Sequence, residues 1–297
     1  MRILFSILPL TMLLFSCSFQ KKGSSNAIAK VDTLSSCSLE LEWESDSIFQ
    51  TPESLIYYEK SNEFFVSNVN TEPWGKNGDG FISKMDISGN ITELNWIEGF
   101  NSPKGMGIIE DFLYVADLDC VVKIDIQKGE ITERINIENE DGLNDIATGI
   151  NGELYVSSSS NSIIYRVKDS KVTKLVQGGD ERYNGLYYLQ EGLMLVTSKG
   201  QQLKKFNFES GEFTILANDI GSGDGIVKVE DDVFIISDWS GEIFLVNKDY
   251  SLESLLDTKA VGKNTADMCY LPSQNLLLVP TFSNNTVVAY TVKGLKK

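Results

Sequence analysis

An all-β propeller of six four-stranded blades is what this sequence predicts, and three observations carry the prediction. First, six segments align along the chain, starting at Glu53, Lys104, Asn144, Asn184, Asp224 and Ala266, which are 51, 40, 40, 40 and 42 residues apart. A period near forty residues with several short strands in each repeat is how a propeller reads in sequence. Second, the second apolar run of each repeat ("LYV", "LMLV", "VFII", "LLLV") is nearly continuous, as expected of strands covered on both faces by neighbouring blades. Third, no helical period is sustained anywhere, and the forty-residue period crosses the whole chain, so one domain is expected rather than two.

The elements follow in order. Each repeat opens on a short apolar run and turns at a polar pair: Glu110-Asp111, Asn151-Gly152, Glu191-Gly192, Asp231-Asp232 or Gln274-Asn275. A second run, a third ("VVKID", "IIYRV", "LKKFN", "IFLVN") and a fourth ("EITERI", "EFTIL") complete it, and the turn from third to fourth carries Gly in "SGN", "KGE" and "SGE". The last repeat runs out after its third strand, "TVVAYTV". The segment "SLELEWE", residues 38–44, alternates as an edge strand does, and it is expected to supply the missing fourth strand and close blade six. The long first interval is explained by "VNTEPWGKNGDG", about ten extra residues between the second and third strands of blade one. That insertion reads as a surface loop with a Gly-rich tip or as a lid over the central channel.

Ahead of the propeller, residues 1–17 read "MRILFSILPLTMLLFSC", a secretory signal too short to span a bilayer. Its end, "LFSC", resembles the bacterial lipobox, which makes Cys17 the acylated residue of a lipoprotein; simple secretion or an uncleaved anchor are the alternatives. Residues 18–37 are a polar tether and residues 38–297 the folded domain. The expected location is the bacterial cell envelope, lipid-anchored and facing the periplasm from the outer membrane. The remaining thiols, Cys37, Cys120 and Cys269, are odd in number and read as isolated.

Beyond residue 37 the chain carries 22 Lys and Arg against 41 Asp and Glu. Such a surface repels phosphate backbones, which argues against a nucleic-acid partner and leaves a small molecule in the channel of a monomer. There is no histidine. Ser-His-Asp and Cys-His nucleophiles, His-ligated zinc and His general bases are therefore excluded, and carboxylates, amides, lysines and hard cations remain.

The first strand of each propeller blade lines the channel, so the six repeat-opening residues should converge on the axis. Four of the six, Glu53, Asn144, Asn184 and Asp224, carry side-chain oxygen. Oxygen donors without His or Cys suit a hard divalent cation, Ca²⁺ before Zn²⁺, Mn²⁺ or Mg²⁺. Turn chemistry at Asn144-Asp145, Asn184-Gly185 and Asp224-Gly225 is the competing explanation, with Gly185 supplying backbone freedom.

The segments "ESLIYYEKSNEFFVSN", "LNDIATGINGELYVSS", "YNGLYYL" and "GDGIVKVEDDVFIISD" resemble the senescence marker protein/regucalcin/gluconolactonase family, six-bladed propellers with one divalent metal on the axis. The resemblance spans roughly residues 50–290. It implies Glu53, Asn184 and Asp224 as metal ligands, Asn144 as the fourth polar residue beside the metal, and Asp224 also as the catalytic base. Two family positions differ: its Gly-Pro is here Ser54-Leu55, and its Arg two residues before the Asn-Asp pair is here Gly142, which points away from sugar-acid lactones. The segment "SPKGMGIIEDFLYVADLDCVVKID" also resembles NHL-type repeats, common in binding propellers.

Two functions follow. One is a metal-dependent hydrolase of a lactone or related ester, with the cation polarising the carbonyl and Asp224 delivering water. The other is a non-catalytic binding propeller whose metal is structural or absent. Lys104 divides them, because it either pairs with Glu53 or binds an anionic group of the substrate.

Overall fold

The computed structural model of the chain describes residues 37–295; the signal segment, Cys17 and the rest of the tether lie outside them. Blade one comprises the strands Pro52–Tyr58, Glu63–Asn68, Gly80–Asp86 and Ile91–Phe100. Blades two to five open on Pro103–Ile109, Leu143–Thr148, Tyr183–Leu189 and Gly223–Glu230 and continue in the same four-strand antiparallel order. Blade six takes Cys269–Leu271, Leu276–Pro280 and Val287–Lys293, and its fourth strand is the N-terminal Ser38–Glu44.

That closing strand pairs antiparallel with the last strand of the chain, Ser38 opposite Lys293 and Glu44 opposite Val288. It leaves no seam at which a free strand edge could recruit another chain. Trp43 and Leu39 bury part of their surface in it, while Glu44 ties it down through Lys263 at 2.7 Å and Thr286 at 2.7 Å.

The apolar core lies between blades. Phe65, Ile82 and Phe100 of blade one meet Met106, Leu113 and Val115 of blade two. Phe64 and Val66, on the face of the same second strand opposite Phe65, meet Leu276, Leu278 and Ala289 of blade six. Both faces of that strand are therefore covered, which is why "EFFV" shows no polar alternation. Four further clusters join the remaining neighbours and complete the ring. Among the described residues no helix is long and apolar enough to cross a membrane.

The polar turns fall where the repeat places them. Glu110, Gly152, Asp232 and Asn275 take left-handed backbone there, with φ of 58°, 75°, 58° and 51°. The buried polar side chains at the ends of second strands have a structural task. Asp117 accepts the backbone N–H groups of Asn101 and Ser102, Asp238 accepts that of Ser222, and Asn68 Oδ1 accepts that of Gln50.

Candidate functional site at the channel axis

The opening residue of each of the first five blades stands at a break in strand register. Pairing between the first and second strands shifts between Pro52 and Ser54, Pro103 and Met106, Leu143 and Ile146, Tyr183 and Leu186, and Gly223 and Ile226. A bulge releases a residue from the ladder and re-aims its side chain. Here it directs Glu53, Lys104, Asn144, Asn184 and Asp224 into one cavity of about 570 Å³, which they line together. Ala266 contributes no polar atom to the ring and packs with Val69 and Phe282.

The N–H groups that the bulges free are met by serines of the second strands. Ser67 Oγ accepts from Ser54 at 3.0 Å, Ser157 Oγ from Asp145 at 2.9 Å and Ser237 Oγ from Gly225 at 2.8 Å. The inner strands are thus held by hydrogen bonds while their side chains are displaced toward the axis.

Within the ring, each carboxylate has one oxygen held and one free. Lys104 Nζ lies 3.8 Å from Glu53 Oε1, an ion contact too long for a hydrogen bond, and both side chains are buried. Asn184 Nδ2 donates to Asp224 Oδ1 at 2.6 Å. The other two oxygens, Glu53 Oε2 and Asp224 Oδ2, are buried and have no hydrogen-bond partner. Asn144 turns its Nδ2 to Ser159 Oγ at 3.1 Å, and Ser159 Oγ in turn donates to the carbonyl of Tyr183.

Behind this ring lies a second acidic pair that the repeat-opening residues did not reveal. Asp145 accepts backbone N–H groups from Ile146 and Leu186, both at 2.6 Å, and Asp267 accepts the Ser54 hydroxyl at 2.6 Å. The signal was one residue further along each repeat, where Asp145 and Asp267 stand at the position that is Ser54, Gly105, Gly185 and Gly225 in the other blades. A Cβ on Gly105 would lie 2.3 Å from Asp145 Oδ1, and one on Gly225 would lie 2.7 Å from Asp267 Oδ1. Gly185 is likewise required for space. Its φ is not in the left-handed region, and a Cβ there would stand 2.1 Å from the Asp224 carbonyl oxygen.

Burial raises the proton affinity of all four carboxylates, neighbouring acids add to it at Glu53, Asp224 and Asp267, and Lys104 opposes it at Glu53 and Asp224. Burial pushes Glu53 up to about 8; Lys104 opposes this, and Asp224 and Asp145 add to it. Burial pushes Asp224 up to about 7 against the pull of Lys104 and the Asn184 hydrogen bond. Asp145 rises to about 6, again by burial, moderated by its two backbone donors. Asp267 lies well above the usual carboxylate range through burial and the neighbouring Asp145.

Among the described residues no three Asp, Glu or Cys side chains are grouped to hold a metal ion. The donor set at the ring is of a different kind: the free oxygens of Glu53 and Asp224, plus two amides whose nitrogens are already engaged. Hard oxygen donors that are buried and unpartnered fit a divalent cation completing its shell with water.

The insertion of blade one reaches this cavity. Pro73 and Trp74 line it. The segment is fastened by Ser102 Oγ on the Pro73 carbonyl at 2.7 Å and by Lys76 on Asp119 at 2.6 Å. Trp74 makes cation–π contacts with Lys104 Nζ, 4.5 Å from the ring centroid, and with the Arg182 guanidinium at 5.4 Å. Trp239 and Phe282, edge to face at 5.6 Å, also line the cavity. Among the described residues Cys37, Cys120 and Cys269 form no disulfide; burial raises Cys120 to about 11 and Cys269 to about 12.

No family model matches this chain, and no curated protein is similar to it in sequence. Solved structures are similar to it in shape. A candidate gluconolactonase from a structural-genomics programme is 13% identical over 86% of this chain and 92% of its own, with a TM-score of 0.68. Virginiamycin B lyase from Staphylococcus aureus, in a catalytically inactive histidine-to-alanine form with quinupristin, is 13% identical over 86% of this chain and 99% of its own, with a TM-score of 0.62. An auxiliary nutrient binding protein from Bacteroides thetaiotaomicron is 10% identical over 82% of this chain and 70% of its own, with a TM-score of 0.64. At these identities the likeness is one of fold: this chain is a six-bladed β-propeller whose structural neighbours include gluconolactonase-type and lyase propellers.

Proposed function

We propose that this chain is a hydrolase of a lactone or related carboxylic ester, acting at the Glu53–Asp224 side of the channel. One observation carries the reading: each of these two buried carboxylates has one oxygen held by a neighbour and the other unpartnered at the cavity they line. A divalent cation, best Ca²⁺, would be held by Glu53, Asp224 and the amide oxygens of Asn144 and Asn184, and when bound supplies Lewis-acid polarisation of the carbonyl. Asp224 accepts a proton at Oδ2 from water as the water oxygen adds to the ester carbon. Asn184 keeps the carboxylate turned for that transfer. Lys104 places positive charge where the oxyanion develops. The acyl C–O bond then breaks and the proton on Asp224 passes to the leaving alkoxide, releasing a hydroxy acid from a lactone or an acid and an alcohol from an open ester.

The absence of histidine separates this reading from the lyase neighbour, whose inactive form replaces a histidine. It also leaves Asp224 as the base with the right surroundings. Export through residues 1–17 and acylation at Cys17 place the enzyme on the envelope membrane. The support is the sequence "LFSC", and the check is incorporation of labelled palmitate in wild type and its loss in Cys17→Ser.

A binding propeller without catalysis is the second reading, favoured by Lys104, which already sets a positive charge against Glu53. Calcium titration by calorimetry of the detergent-solubilised full chain, wild type and Asp224→Ala, followed by a lactone and aryl-ester panel, decides. Calcium binding with turnover that Asp224→Ala abolishes supports the hydrolase. Binding without turnover on any substrate favours the second reading. No divalent-ion binding at all removes the metal and the hydrolase together.

A further inference from the structure

Of the three arginines among the described residues, Arg134 meets Asp117 at 3.5 Å and Arg166 meets Glu153 at 3.3 Å. Arg182 has no carboxylate partner among them, although it follows Asp180 and Glu181. Those two acids are engaged elsewhere, Asp180 by Lys199 and Glu181 by Lys204 at 2.5 Å. In a chain of net charge −16 an exposed, unpaired guanidinium lining the channel cavity calls for an explanation.

Arg182 holds φ at 55°, a left-handed conformation that Thr51 shares at the equivalent position of blade one, at 54°. The conformation is clamped from two sides. Ser162 Oγ accepts the N–H of Glu181 at 3.1 Å and of Arg182 at 2.9 Å, and the Arg182 carbonyl accepts the N–H of Ser198 at 3.0 Å. The guanidinium then lies over Trp74, whose loop is itself pinned to Ser102 and Asp119. This cation–π contact restricts the guanidinium before any ligand arrives, which lowers the entropy lost on binding.

We propose that Arg182, oriented by Trp74, is the recognition residue for a carboxylate carried by the substrate away from the reacting ester, with the substrate's apolar body against Trp239 and Phe282. The word substrate rests on the hydrolase reading; the binding does not. A planar fork matches a carboxylate with two parallel hydrogen bonds. A dianionic phosphate matches less well, because the ring and the layer behind it already hold Glu53, Asp145, Asp224 and Asp267 against Lys104. The substrate class is thus an acid with an apolar ring or chain that also bears a lactone or ester.

The test is calorimetry on the full chain in detergent with a matched pair of probes, 3-phenylpropanoate and 3-phenylpropanamide. Wild type should bind the carboxylate about tenfold more tightly than the amide, the scale of one charge-assisted pair. Arg182→Gln should lose that preference while its affinity for the amide stays unchanged, and Arg182→Lys should recover part of it. Trp74→Leu should weaken the carboxylate more than the amide. Equal binding of the two probes by wild type, a preference that survives in Arg182→Gln, or no binding of either probe up to about 10 mM overturns the proposal. If the carboxylate preference depends on Arg182 but no ester is turned over, the recognition site stands and the hydrolase reading falls. Turnover lost in Asp224→Asn with a carboxylate preference indifferent to Arg182 has the opposite meaning.

Discussion

Asn184 Nδ2 donates to Asp224 Oδ1 across 2.6 Å, joining residues forty positions apart at the openings of consecutive blades. A carboxylate can only accept, so the amide must turn its nitrogen to it, leaving the amide oxygen and Asp224 Oδ2 for whatever occupies the axis. The Asn-Gly pair in "YNGLYYL" therefore does more than form a turn. Asn184 sets the orientation of the Asp224 carboxylate, and Gly185 makes room for the backbone of the next blade.

Asn184→Ala should leave Asp224 without its donor. The hydrogen bond holds the Asp224 pKa down, so its loss moves that titration further above about 7. At pH 8.5 the metal-free variant should be less stable than wild type by about 1–3 kcal/mol, the scale of a buried charged acceptor left unpaired. At pH 5, where Asp224 is protonated, the difference should nearly vanish. Urea melts at the two pH values check this; an equal loss at both would show that Asn184 acts by packing alone.

Without metal, stability should fall as pH rises through the channel titrations. The sign follows from proton counting: the folded state keeps protons on Asp145, Asp224 and Glu53 up to about 6, 7 and 8, whereas the unfolded chain releases them near 3.8, 3.8 and 4.5. The folded state thus binds more protons across that window, and stability declines from about pH 4 to about pH 8. Glu53→Gln combined with Asp224→Asn should flatten the decline, and saturating Ca²⁺ at pH 8 should offset it in wild type alone. Chemical denaturation with and without a chelator provides the readout.

Removal of residues 38–46 should abolish sharp melting. It exposes the edge of Val287–Lys293 and uncovers the blade six to blade one cluster to which Trp43 contributes. A shortened chain that melts as sharply as the full one would show that blade six needs no fourth strand.

Gly185→Ala should destabilise by roughly 2 kcal/mol or more, because its Cβ meets backbone at 2.1 Å and the blade must move. Gly152→Ala, at φ of 75° with nothing within 4 Å, should cost only about 1 kcal/mol of local strain. Thermal melts of the two variants side by side separate crowding from backbone preference.

The sequence by itself determined the architecture. Forty-residue spacing, unbroken apolar second strands and the alternating "SLELEWE" segment specify six blades and their closure, because each blade can bury its faces only against another blade. It also brought Glu53, Lys104, Asn144, Asn184 and Asp224 to one place, since equivalent positions of a closed repeat converge on its axis. Tertiary structure decided what those residues do to one another. The Lys104–Glu53 contact and the Asn184–Asp224 bond depend on which blades stand side by side and on where bulges turn the side chains. The same holds for Asp267 behind the ring and for Trp74 over Arg182: a residue on blade six and an insertion on blade one become neighbours of the site only when the ring closes.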